Sequence, residues 1–161
     1  MDLNGHLEYD HPPADVFAMF VDADYVRARA EATGGADVEA DVTESGDTVE
    51  IVNRRTVVAD LPSFARSMVG ESIRITETHT WGPDADGARE GTFEANFGSV
   101  PVIVRGRLRL VADGAGAVAT LEGTIKATVP LVGRKVEQLV HDQVAAALVI
   151  EQELGASWLA D

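Results

Sequence analysis

The chain has 161 residues, 45% of them hydrophobic, and a mean hydropathy of zero, which fits a globular chain long enough to bury a substantial core. Its net charge is −14, from 13 basic and 27 acidic residues; a surface this acidic repels phosphate backbones and anionic lipid heads, so nucleic acid and bilayer surfaces are poor partners. There is no cysteine, which excludes disulfides, thiolate metal sites and cysteine catalysis.

Leu3, Leu7 and Tyr9 alternate with polar residues, the period of two of a first strand, which Pro12-Pro13 stops. Pro13 to Phe20 carries a proline and an acid at its start and apolar residues at helical spacing, so it reads as a short helix. Asp22-Ala23-Asp24 caps a second helix running through Tyr25 to about Ala32, and Thr33-Gly34-Gly35 ends it. From Ala36 the pattern is one of strands. Ala36 to Val42 and Thr48 to Ala59 flank the turn Glu44-Ser45-Gly46-Asp47. Leu61 to Arg66 breaks the alternation as a loop or helical turn. Ser72–Trp81, Arg89–Phe97, Val100–Val111 and Ala117–Val129 follow as strands. Connections this short require antiparallel pairing.

After Pro130 the period becomes 3.6. Val136, Leu139, Val140, Val144, Ala147, Ile150, Leu154 and Trp158 fall on one side of a helix from about Val132 to Leu159. Such a helix is ~40 Å long and crosses a whole sheet. Its apolar stripe needs one apolar sheet face to bury it. The fold class expected is therefore α+β: a curved antiparallel sheet of about six to seven strands, two short helices after strand one, and a long C-terminal helix across the sheet. There is no internal repeat or low-complexity segment, so residues 1–161 are expected to form one domain. No apolar run approaches the ~20 residues of a membrane span, and no basic residue precedes an apolar stretch at the N-terminus. A cytoplasmic location without integral membrane association is expected.

This order of elements resembles the helix-grip fold of the START-like superfamily, which includes lipid carriers, polyketide cyclases and hormone receptors. Within it, the chain looks like an uncharacterised, mostly actinobacterial family, domain-of-unknown-function family 2505. The matching segments are Asp24-Tyr25, Glu77-Thr78-His79-Thr80-Trp81, Gly98-Ser99-Val100-Pro101 and Val129-Pro130-Leu131-Val132-Gly133. Lys135-Val136-Glu137, Gln143, Glu151-Gln152 and Trp158-Leu159 complete the match. The resemblance implies a cavity between sheet and helix. It supplies no catalytic residue, cofactor or metal.

Gln143 sits near the middle of the apolar stripe, among Val140, Val144 and Ala147. A buried amide left unpaired costs about 1–3 kcal/mol, so it should have a partner, either a structural hydrogen bond or a ligand. Glu151 lies at the stripe edge and is expected to reach solvent. Glu77 and His79 share a strand face with Ile73, Ile75 and Trp81. If that face is the inner one, a carboxylate and an imidazole point inward, an arrangement that orients a general base. Alternatively this end of the strand runs past the core and both are solvated. Direct pairing must bridge the ~7 Å between residues two apart on one strand face. Leu61, Phe64, Met68, Phe93 and Phe97 either line a cavity or fill the core. Asn53, Arg54 and Arg55 interrupt a strand, and the pattern does not choose between its faces.

Arg105, Arg107 and Arg109 form a basic row, read as a solvated outer face paired with acids such as Glu122. His6 with Glu8 or Asp10 lacks a second histidine at ligand spacing, so no metal site is expected. Asp84-Ala85-Asp86-Gly87 imitates the start of a calcium loop, but its glycine is too early and the twelfth-position glutamate is missing; it is a turn. No nucleophile elbow, phosphate-binding loop or dinucleotide fingerprint is present, and no cofactor is expected. The leading functional expectation is binding or transport of a hydrophobic, lipid-like small molecule. The alternatives are a cyclase- or aromatase-type enzyme using Glu77 and His79, and an interaction module with a vestigial pocket whose apolar surface includes Val149.

Overall fold

The structure is a computed structural model that describes residues 1–58 and 61–161. Strand β1 (Asp2–Tyr9) leads into helices α1 (Pro13–Phe20) and α2 (Ala23–Ala32). Pro13 opens α1, where its missing N–H costs nothing. The Asp22 carboxylate caps α2 by accepting from the Asp24 N–H at 2.9 Å. Strands β2 (Gly35–Ser45) and β3 (Thr48–Val58) follow, then α3 (Ser63–Val69). The stretch expected as a loop or helical turn is thus part of a short helix. Ala59, expected as the last residue of β3, lies outside the described residues. The order continues with β4 (Ser72–Trp81), β5 (Arg89–Phe97), β6 (Val100–Asp113), β7 (Gly116–Ala127) and α4 (Gly133–Ala160).

The strands form one antiparallel seven-stranded sheet in the order β1-β7-β6-β5-β4-β3-β2. Register irregularities at Ala36/Glu39 and Asn96/Phe97 bend it. The inner face carries Ile51, Ile75, Trp81, Phe93, Val104, Leu108 and Leu110, all buried. The outer face is polar. Arg105, Arg107 and Arg109 are exposed there, with Arg107 opposite Glu122 in register and Arg109 3.8 Å from Glu90.

The helices cover the inner face. α2 packs over β2 and β3, while α4 packs on β1, β7, α1 and α2. Two glycines set how closely α4 approaches. A Cβ on Gly5 would stand 2.9 Å from a Leu148 methyl, and one on Gly155 would stand 2.7 Å from the Tyr9 ring. Around Gly155 the core is aromatic. Trp158 meets Tyr25 edge-on at 5.4 Å, Tyr9 meets Phe20 at 6.0 Å, and Phe20 stacks on Trp81 at 6.0 Å. The Gln152 amide clasps β1: its oxygen accepts from the Glu8 N–H at 2.8 Å and its NH₂ donates to the Glu8 carbonyl at 2.6 Å. At the other end of α4, the Glu137 carboxylate accepts from the Ala127 N–H at 3.0 Å and stands 3.6 Å from the N-terminal ammonium.

Candidate functional site: an apolar cavity with a charged floor

Between these two anchored ends α4 approaches β1 closely where Leu148 meets Gly5 and otherwise stands over open space. A cavity of about 500 Å³ lies beneath it. Its wall takes α4 from Val136 to Glu151, the inner faces of β3 to β7, α3 residues Ala65, Met68 and Val69, and Tyr25, Val26 and Arg29 of α2. Val140, Val144, Ala147 and Leu148 are consequently only half-buried, although they face inward. Along α4 only Val136 and Gly155 are fully buried.

The line on α4 that faces inward is Val136, Val140, Val144, Leu148, Glu151 and Gly155. Of the stripe read from the sequence, Val136, Leu139, Val140, Val144 and Ala147 line the cavity, and Leu154 and Trp158 pack against the core; the differences are at three other positions. Gln143, expected as a buried amide at mid-stripe, is exposed at the cavity margin and makes no hydrogen bond among the described residues. Ile150, also assigned to the stripe, is 38% exposed. Glu151, expected to reach solvent, points inward with its side chain 15% exposed. The physical reason is the close approach at Gly155. A hydrophobic tally gives glycine little weight, yet its bare backbone marks where the helix touches Tyr9, and this turns Glu151 inward and Gln143 aside.

The sheet side of the cavity carries its charge. The inner face of β4 holds Ile75 (8% exposed), then Glu77 and His79. His79 Nε2 stands 2.7 Å from Glu77 Oε1, so the two side chains span the strand repeat directly. Glu77 sits opposite Asn53 in register, which brings Arg55 to it along the diagonal. Arg55 Nη1 donates to Glu77 Oε2 at 3.0 Å and to Asn53 Oδ1 at 3.2 Å. Asn53 and Arg55 therefore face inward, and Arg54 faces out, 3.8 Å from Asp41. From above, Arg29 of α2 donates from Nη2 to Glu77 Oε1 at 3.0 Å, and its Nη1 stands 3.7 Å from Glu151.

The electrostatics follow. Burial alone pushes the Glu77 carboxyl up; Arg29, the His79 hydrogen bond and charge, and Arg55 together outweigh it and hold it well below 4.5. Burial disfavours the Arg29 cation, but Glu77 and Glu151 outweigh that and keep it charged. Tyr9 and Tyr25 are raised above 10, first by burial and then by nearby negative charge, including Glu151, so both phenols stay protonated. Their hydroxyls lie close together but not at hydrogen-bonding geometry. An ionised Glu77 bound by three donors cannot itself shuttle a proton. It can orient His79 and hold two guanidiniums at the cavity floor.

Of the residues singled out from sequence, Gln143, Val140, Val144, Ala147, Ile75, Glu77, His79, Phe93 and Phe97 all line the cavity. Phe64 does not. It turns toward α4, with Lys135 Nζ 5.8 Å from its ring centroid, and Ala65 and Met68 of the same helix face the cavity instead. Sequence reasoning missed Arg29 and Glu151, and left Arg55 unassigned. The available signal was the pairing of β3 with β4, which puts Arg55 on the Glu77 face. His6 pairs with Glu8 at 3.0 Å on the exposed edge strand. No helix among the described residues is long and apolar enough to cross a membrane.

Known proteins share this architecture. The Mycobacterium tuberculosis H37Rv protein Rv0481c, described as uncharacterized, is 26% identical over 166 residues, covering 94% of this chain and 92% of that one. The crystal structure of TTHA0849 from Thermus thermophilus superposes with a TM-score of 0.66 at 17% identity, covering 98% of each chain. A STAR-related lipid transfer protein fragment from Xanthomonas axonopodis gives a TM-score of 0.58 at 20% identity, over 98% of this chain and 85% of that one. At those identities the two structures show the fold, which is the START-like helix-grip fold. The family model described as "Protein of unknown function (DUF2505)" matches residues 5–159, and the chain belongs to that family.

Proposed function

We propose that this protein binds an apolar or amphipathic small molecule, lipid-like in character, in the cavity beneath α4. The observation that carries the reading is a void of about 500 Å³ in the middle of the fold. Functional pockets occupy about 300–1,000 Å³ and combine an apolar wall with a few convergent polar groups. Here Val140, Val144, Ile75, Phe93 and Phe97 supply the wall, and Glu77, His79, Arg55 and Arg29 supply the polar groups. The inward side chains of α4 are left half-buried, so a bound apolar molecule completes their burial at about 25 cal/mol per Å². The fold is shared with a protein named for lipid transfer, which agrees with the reading. A cavity of this size weighs against an interaction module with a vestigial pocket. The absence of a cysteine and the strongly acidic surface suit a cytoplasmic carrier. Native mass spectrometry of the protein purified from its own host tests the proposal. A reproducible small-molecule adduct that is lost on denaturation is expected. A bare chain that also takes up no added fatty acid, alcohol or sterol would sink the idea.

A second reading, an enzyme of the cyclase or aromatase type, has one specific observation in its favour. His79 lines the cavity and is oriented by an ionised carboxylate at 2.7 Å. In that chemistry His79 is the acid–base group and Glu77 its positioning partner. Turnover of a polyketide-type substrate that survives His79→Ala unchanged would rule His79 out.

A further inference from the structure

The net charge of −14 makes a bilayer a poor partner for the surface as a whole, but the fold does not spread that charge evenly. The sheet register brings the end of β3, the β5–β6 turn, the end of β7 and the start of α4 to one end of the molecule. There the Thr128 N–H donates to the Pro101 carbonyl at 2.9 Å, and Lys135 Nζ stands 5.8 Å from the Phe64 ring of α3. The connections at the opposite end, 10–12, 46–47, 82–88 and 114–115, hold Asp10, Asp47, Asp84 and Asp86 and no lysine or arginine. The two ends are ~40 Å apart along α4, about four Debye lengths at 0.1 M salt, so those acids are screened from anything at the α4 start. Asp2, Asp37 and Glu71 are exposed at the α4-start end as well, outside the segment 126–135.

That segment breaks several local rules at once. Leu131 has a φ of 70°, a left-handed backbone that leucine rarely adopts, and its side chain is fully exposed. α4 begins with no side-chain cap and no acid in its first turn. Arg134 and Lys135 stand there instead, cations at the positive end of the helix dipole. Both lysines of the chain, Lys126 and Lys135, lie in this segment and are exposed. Glu137, the next acid along the chain, is occupied by the Ala127 N–H and the N-terminal ammonium. Each of these features is unfavourable in the free chain and becomes favourable against a partner that presents anions with hydrocarbon behind them. An anionic bilayer surface has that layering. The cavity wall reaches the same end at the exposed Val58 and at Phe97, Val100 and Val136.

We propose that this end of the molecule docks on an anionic lipid bilayer, Leu131 entering the acyl boundary and Arg134 and Lys135 meeting lipid phosphates. The docking goes beyond the ligand binding proposed above and does not depend on it.

Co-sedimentation of the full chain with vesicles tests the docking. Vesicles of equal parts phosphatidylglycerol and phosphatidylcholine are expected to bind at least about tenfold tighter than phosphatidylcholine alone, and to release the protein as sodium chloride is raised. Leu131→Gly is expected to weaken that binding about tenfold, the scale of one leucine side chain leaving water. Its thermal midpoint should stay or rise, because glycine accepts the left-handed backbone. Arg134→Ala and Lys135→Ala should each weaken binding about fivefold. Val149→Ala, at an exposed apolar position elsewhere on α4, should leave it within about twofold. The neutral fluorescent probe N-phenyl-1-naphthylamine, added without vesicles, should bind Leu131→Gly as it binds the wild type. Equal binding to both kinds of vesicle, or undiminished binding by Leu131→Gly, would overturn the docking. Self-association that depends on Leu131, without vesicle binding, would assign this end to a second copy instead. A wild type that binds anionic vesicles but not the probe would sink the cavity function and leave the docking standing.

Discussion

α4 is held in two different ways along its length. From Gln152 onward it lies against protein: Gly155 on the Tyr9 ring, Trp158 on Tyr25, and Gln152 clasped to the Glu8 backbone. From Leu139 to Ala147 it roofs the cavity, and its inward side chains are only half-buried. One half is core and the other is a roof. The difference shows that the stability of this helix and its proposed function reside in different turns. The charged cluster stands at the junction, where Glu151 of the helix meets Arg29 above Glu77.

The largest expected effect is at that junction. Glu77→Gln leaves Arg55 buried without a carboxylate and Arg29 with Glu151 alone, and should cost about 3–5 kcal/mol in urea unfolding, as broken buried ion pairs do. A loss below ~1 kcal/mol would mean that the cluster is solvated and the junction holds nothing. The same carboxylate sets an acid limit. Its pKa in the folded chain is lowered well below 4.5. Between that depressed value and about 4.5 the unfolded chain binds the proton and the folded chain does not, so stability falls as pH drops through this window. The contribution is complete above the window, and stability measured from pH 6 to pH 2 should show an acid limb that is shallower in Glu77→Gln.

The closed half is tested at Gly155. A valine there places its Cβ 2.7 Å from the buried Tyr9 ring, which is packed against Phe20 and cannot retreat. Overpacking of this kind costs about 1–3 kcal/mol, partly offset by the better helix propensity of valine. Gly155→Val should therefore lower the thermal midpoint clearly, by several degrees. An unchanged midpoint would show that α4 is as loosely held at this end as over the cavity.

How much of this was legible in the sequence differs between the two halves as well. The strands β4 and β5 were bounded to the residue by alternation, and α4 to within one residue by the 3.6 period. Periodicity reads an element well when its face is wide. It misplaced Ile150 and Gln143, because a stripe drawn through large apolar residues ignores Gly155. The cluster was half legible: Glu77 and His79 share a face by parity alone, but Arg29 and Glu151 come from distant helices, and only tertiary packing brings them in. Phe64 packs against the core instead of lining the cavity, the second of the two places open to it. An aromatic on a short helix can face either way, and here it lies under Lys135.

The smallest effect is the most discriminating, because its sign differs between a roof and a core. Ala147 is half-buried and lines the cavity. In a packed core, alanine to leucine forces neighbours off their rotamers and costs about 1–3 kcal/mol. Over a void, the added isobutyl group enters empty space and removes apolar surface from water, while leucine is nearly as good a helix former as alanine. Ala147→Leu should therefore leave the urea midpoint unchanged or raise it by up to about 1 kcal/mol, with the denaturant slope unaltered. It should also weaken N-phenyl-1-naphthylamine binding several-fold, because the side chain occupies the ligand's volume. A destabilised variant would mean that the middle of α4 is packed like its end. A stable variant with undiminished probe binding would place the bound molecule elsewhere than beneath this helix.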